Sequence, residues 1–283
     1  MSYARIRNLL GLLPALLAGG FAHAAITTTA MSMPDELSAE KPLGFSIDSS
    51  LSRGMIEYRD VVDLSVNGNI GYRLSNGHKI AGTISYLSAV YRDETGTTLN
   101  TPVAFPERYG FTNLKFLYMV PEFYKSESLT LMWKNTVIFP TSEIARRASL
   151  YGAVSTELNL DWVVTNRITL SPAGGVVVRG YRYDDANVDG TVINSPFATY
   201  VSGTVAFMPV KNLIASGTYM LTDNLNYQNT WDLSQKADAQ LAYSVSPTLQ
   251  FHIDYGWKDE ILTNDEAFAA DKSSFGAGVK ASF

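Results

Sequence analysis

Residues 62–90 read VDLSVNGNIGYRLSNGHKIAGTISYLSAV. Up to Leu74 the apolar side chains recur at alternate positions: Val62, Leu64, Val66, Ile70, Tyr72 and Leu74. Asp63, Ser65, Asn67, Asn69 and Arg73 stand between them. A strand points successive side chains to opposite faces, so this is a strand with one apolar and one polar face. Ser75-Asn76-Gly77 then supplies the chemistry of a tight turn. Beyond it Ile80, Ile84, Tyr86 and Val90 resume on one parity. The stretch is a β-hairpin. Its polar face carries a carboxylate, amides and a guanidinium, which a dry core does not accept unpaired.

The same period runs from Leu43 to the last residue and predicts twelve strand segments. Leu43, Phe45, Ile47 and Leu51 alternate with Gly44, Ser46, Asp48 and Ser50. Leu114, Phe116, Tyr118 and Val120 alternate with Asn113, Lys115, Leu117 and Met119. Trp133, Val137 and Phe139 alternate with Met132, Lys134 and Thr136. Val154, Leu158 and Trp162 oppose Ser155, Glu157 and Asp161, and Val176 and Val178 oppose Arg179. Farther on, Ala237, Ala239 and Leu241 oppose Lys236, Asp238 and Gln240. Phe251, Ile253 and Tyr255 oppose His252 and Asp254, and the final SSFGAGVKASF (273–283) sets Phe275, Val279 and Phe283 against Gly276, Gly278 and Lys280.

Short connections at 75–78, 121–128, 165–167, 209–212 and 246–248 alternate with long ones near 52–60, 92–107, 140–149, 184–196, 222–232 and 258–272. Strict alternation of short and long requires an even strand count with both chain ends on the short-turn side. That is the layout of a transmembrane up-and-down barrel, with short periplasmic turns and longer extracellular loops. A soluble sandwich or a lipocalin-like barrel also alternates. The segments are too long for the usual strand of roughly 5–6 residues. Aromatics also cluster near both strand ends, Tyr72, Tyr118, Trp162 and Phe207 on one side and Phe139, Phe197 and Trp257 on the other. Such clusters are the girdles of a membrane barrel.

The first residues set the compartment. Arg5 and Arg7 precede an apolar run from Leu9 to Phe21, and Ala22-His23-Ala24 fits a cleavage site. Residues 1–24 read as a signal peptide, 25–42 as a periplasmic lead-in without a clear period, and 43–283 as the barrel. The chain has 283 residues, no Cys, 22 basic and 27 acidic residues, and a charged fraction of 17%. Removing Arg5 and Arg7 leaves 20 basic against 27 acidic residues, a net charge of −7. That balance argues against a nucleic-acid partner. Without Cys there are no disulfides and no thiolate metal sites. No cofactor is expected.

Taken together, the signal peptide, the hairpin-linked strands and a last strand ending in Phe resemble the bacterial outer-membrane β-barrel class. The resemblance implies an all-β antiparallel barrel in the outer membrane among lipids and lipopolysaccharide. It also implies that Phe275, Val279 and Phe283 are read by the barrel-assembly machinery. Twelve-stranded members of the class include nucleoside channels, acidic-sugar channels, autotransporter pores and a phospholipase, and the chain carries the hallmark residues of none of them.

Little in the sequence points to catalysis. His23 leaves with the signal peptide, His78 falls in a turn, and His252 lies on the inward parity with Asp254 two residues on. Lipases and deacylases of the class resemble one another in a His-x-Ser pair, absent here, so His252 reads as an ion-pair element. Asp184 to Gly190 is acidic but lacks the spacing of a calcium loop. Arg146-Arg147 lies in a long loop, where phosphates would attract it. The expected lining mixes signs: Asp63, Glu157, Asp161, Asp238 and Asp254 against Arg73, Lys115, Lys134, Arg179, Lys236 and Lys280, with His252 among them. Small residues between them leave room for water. The function expected is a passive channel for small solutes. The alternatives are a closed structural or adhesive barrel acting through its loops and, less favoured, a membrane enzyme.

Overall fold

The computed structural model describes residues 42–54, 61–92, 110–142, 145–146, 148–183, 194–260 and 273–283. Strands β1 (Leu43–Gly54), β2 (Val61–Arg73), β3 (Lys79–Arg92), β4 (Gly110–Phe111), β5 (Leu114–Lys125) and β6 (Leu129–Phe139) make the first half. Strands β7 (Leu150–Thr165), β8 (Ile168–Tyr181), β9 (Phe197–Val210), β10 (Leu213–Leu225), β11 (Trp231–Ser246), β12 (Leu249–Glu260) and β13 (Ser273–Ser282) make the second. Each pairs antiparallel with its neighbours, and β1 pairs with both β2 and β13, so the sheet closes on itself. The two-residue β4 and the longer β5 both pair with β3, around a break at Thr112 and Asn113, and together make one stave. Thirteen strands thus make twelve staves.

The ends of the chain meet at the seam. The Phe283 amide donates to the Phe45 carbonyl at 2.8 Å, and the Phe45 amide donates to the Phe283 carbonyl at 3.1 Å. Their rings stack with centroids 5.0 Å apart. Both edges of the last strand are therefore paired, which leaves no open edge to template association. The start of β1 and the end of β13 lie at the end of the barrel that carries the short turns.

Outside, the expected parity is apolar and exposed, as at Phe45, Ile70, Ile84, Val154, Val205, Ile253 and Phe275. A continuous belt of that kind is unfavourable in water and matches a hydrocarbon surround. Tyr72, Trp162 and Phe207 are exposed near the short-turn end, as is Phe139 near the loop end. Trp257 departs from the expected girdle, because it is fully buried. Phe197 is half-buried against Trp231, edge to face at 6.3 Å.

Two connections differ from the sequence reading. Residues 121–125 belong to β5 rather than to a turn, and only Ser126–Ser128 reverse the chain. Pro121 has no N–H to give, and the ladder slips between Val120 and Tyr124 before pairing resumes. The polar run at 222–232 is not a long loop. β10 continues to Leu225, and Asn226 closes a tight turn by accepting the amides of Gln228 and Thr230 at 3.0 Å each. Asn229 adopts φ 59°, a left-handed conformation that Asn tolerates. Residues 1–41 lie outside the described residues, so the signal peptide and nearly all of the lead-in do too, as do Asp184 to Gly190.

Candidate functional site

The inward parity differs around the circumference. From β11 through β12, β13 and β1 to β2 it is polar and rich in carboxylates. Ser46, Ser50, Asp63, Ser65, Asn67, Asn69, Asp238, His252 and Asp254 are all buried there. His252 Nε2 lies 3.4 Å from Asp254 Oδ2 and 3.8 Å from Asp48 Oδ1, so one imidazole nitrogen serves two carboxylates. Gln240 donates to Asp254 at 2.7 Å, and Lys236 pairs with Asp238 at 2.7 Å. Lys280 stands opposite Asp48 in the register. The ring of His252 packs against the backbone of β13 because residue 278 is Gly. A Cβ there would come within 2.5 Å of His252 Nε2 and of the Ser49 carbonyl.

The wall from β3 through β9 is built differently. Ala81, Leu117 and Met119 form an inward apolar cluster with Met132 against it. Ala153, Val177 and Tyr200 form a second, flanked by Ile138 and Met220. Between these patches Lys134 Nζ pairs with Glu157 Oε1 at 2.7 Å, and the Tyr200 hydroxyl donates a short hydrogen bond to Glu157 Oε2. Gly175 is opposite both Glu157 and Tyr200 in the register. With no side chain on β8 at that level, the phenol spans the stave from β9 to β7. Farther along β7, Asp161 accepts from Ser171 at 2.6 Å.

At the loop end, short segments are tied over this second wall. The Asn194 amide donates to the Ala148 carbonyl at 3.2 Å and to the Tyr183 carbonyl at 2.9 Å, while its own carbonyl accepts from the Tyr227 amide at 3.2 Å. Ser142 accepts from the Ala145 amide, and Ala145 and Ala148 are buried. Beneath this assembly Arg179 is 6% exposed. Its Nη1 donates to the Ser195 carbonyl at 2.9 Å, and its Nη2 has no hydrogen-bond partner.

The structure therefore separates the expected lining residues into groups. His252, Asp254, Asp238 and Lys236 come together, with Asp48 as a member whose tie to His252 has no sequence signal. Asp63 lies buried on β2 farther toward the loops, and Arg73 sits half-buried at the short-turn end. Lys134 and Glu157 form a pair, while Lys115 and Arg179 stand apart from the carboxylates. Phe275 and Phe283 face outward at 52% and 64% exposure, and Val279 shares their parity. Among the described residues no group of three or more His, Cys, Asp and Glu side chains is placed to hold a metal ion.

No protein-family model matches the chain, and no curated protein sequence matches it. Solved structures do match in fold. An outer-membrane channel from Pseudomonas putida F1 superposes with a TM-score of 0.58 at 9% identity, over 86% of this chain and 95% of that one. The NanC porin superposes at 0.55 and 11% identity, over 84% and 98%. The KdgM porin, in complex with disordered oligogalacturonate, superposes at 0.51 and 8% identity, over 85% and 99%. The chain is similar to these in architecture: a closed antiparallel barrel of the outer-membrane porin type.

Proposed function

We propose that the protein is an outer-membrane channel for the passive passage of small solutes, with both termini in the periplasm and the long loops outside the cell. The observation that carries this reading is the closed barrel with an apolar outside and an inside that carries charged and small polar side chains, densely from β11 round to β2 and among apolar patches from β3 to β9. A water-filled path suits such an inside, and a packed core does not. The fold match to proteins described as porins and channels supports it. Twelve staves fall between barrels filled by side chains and barrels with a wide aqueous pore, so the passage is narrow.

Among the described residues, the surroundings of His252 do not favour catalysis. Both carboxylates approach the same nitrogen of His252, and the buried Ser50 hydroxyl is bonded to nothing, so no nucleophile is activated by the imidazole. The test is single-channel recording of the refolded protein in planar bilayers. Discrete, ohmic steps are the expected result. Folded protein that gives none overturns the channel reading and leaves a closed barrel acting through its loops. A hydrolase activity abolished by His252→Ala would overturn the non-enzymatic reading.

A further inference from the structure

Lys115 and Arg179 share one row of cross-strand pairs. Lys115 is opposite Ile138, Ile138 opposite Ala153, and Ala153 opposite Arg179. Three steps of about 4.8 Å put roughly 14 Å of wall between their Cα atoms. Both side chains are on the inward parity of a concave wall, and Arg179 turns its guanidinium toward the Ser195 carbonyl at the loop end. The two residues between them are an Ile and an Ala, which bring no charge.

Neither cation has a carboxylate partner among the described residues. Lys115 makes no hydrogen bond or ion pair with a described residue. Arg179 is more than nine-tenths buried, gives one nitrogen to a carbonyl and leaves Nη2 without a partner. Glu157 is four residues along β7 from Ala153, about 13 Å at ~3.3 Å per residue. It is already held by Lys134 and Tyr200. A buried guanidinium with an unmet donor and no counter-charge is costly in the folded state. The cost is offset if a passing anion fills the vacancy, since charge-assisted bonds from a planar guanidinium to a carboxylate are the stronger kind.

We propose that this row is an anion-binding step in the barrel, with Arg179 as the donor and Lys115 as a second positive charge, and that the solutes it selects carry a carboxylate. The transport half of this proposal rests on the channel reading; the binding half does not. Selection runs against the chain's overall charge, which is −5. The local row, and not the net charge, decides what enters.

Two measurements separate the halves. The first is chloride line broadening in NMR of the refolded barrel in detergent, with potassium acetate as competitor. Excess broadening by the wild type, removed by acetate and reduced severalfold in the Lys115→Gln, Arg179→Gln double variant, is expected. Equal broadening by wild type and double variant overturns the anion site. The second is the zero-current potential across a bilayer in a potassium chloride gradient. A chloride preference that falls to parity or reverses in the double variant, and is restored by Arg179→Lys in place of Arg179→Gln, is expected. A cation-preferring wild type, or a potential unchanged by the double substitution, overturns the selectivity. Broadening with no channel steps keeps the site and overturns the channel. Circular dichroism and heat-modified gel mobility establish that each variant is folded, and the charge-keeping Arg179→Lys covers a failure of Arg179→Gln to fold.

Discussion

Around the His252 wall the charges lean on one another: Asp48 and Asp254 share an imidazole, Gln240 supports Asp254, and Asp238 has Lys236. On the opposite wall the inward pair Lys134–Glu157 stands among Leu, Met, Val and Ala, and Lys115 and Arg179 have no carboxylate partner among the described residues. Both walls have the same outer face and the same ladder. What differs is how densely polar groups are packed, and hence how much a lone charge is felt. Where neighbours are polar a charge is diluted; where they are apolar it is exposed to whatever enters.

The sharpest way to break this contrast is at the seam. Gly278→Ala places a methyl group against both the imidazole and a backbone carbonyl, and should cost about 3 kcal/mol in urea unfolding of the refolded barrel. Gly203, on the outward parity of β9 with Val201 and Val205, has nothing within 4 Å of where its Cβ would stand. Gly203→Ala should instead stabilise by about 0.5–1 kcal/mol, the conformational cost of glycine in a strand. Equal effects at the two sites would show that the packing around His252 is no tighter than the open outer face.

Next in size is Glu157→Gln. It leaves Lys134 without its carboxylate on the apolar wall and should cost about 2 kcal/mol in the same assay. If the barrel conducts as proposed, its preference for anions should also rise, because a third cation joins the row's side. Unchanged zero-current potential in that variant would mean that the wall's charges act independently of the current path.

Deleting Phe283 removes a stacked ring and two terminal backbone hydrogen bonds from the seam. The finished barrel should lose only about 1 kcal/mol, while the amount reaching the cell surface should fall much further. Normal surface levels would refute the reading of the last strand as an assembly signal. At the small end, Lys125→Ala removes an exposed pair with Glu122 and should leave the unfolding midpoint where it is.

The outward face was legible in the sequence because its signal is contrast: Phe45, Ile47 and Leu51 differ in polarity from Ser46, Asp48 and Ser50. The inward apolar clusters were not, because Phe116, Leu117, Tyr118 and Met119 offer almost no contrast, and parity there rests on the flanking Lys115. The turn at Asn226 was hidden by its composition, since Asn, Gln and Thr serve as well in a long loop as in a turn sealed by an Asn side chain. Sector identity is harder still. Which charges share a row depends on stagger around the barrel, a quantity that no single strand carries. Asp48 and His252 are far apart in sequence and meet only because β1 and β12 both lie beside β13.

One more consequence belongs to Gly175. The Tyr200 phenol reaches Glu157 across β8 because Gly175 brings no side chain at that level. A side chain there takes the space and swings the ring toward the axis. If the barrel conducts as proposed, position 175 is a calibre adjustment: replacing Gly175 with Ala, then Val, then Leu should lower the size cut-off for neutral solutes step by step. The lipid-facing surface and the strand register remain untouched.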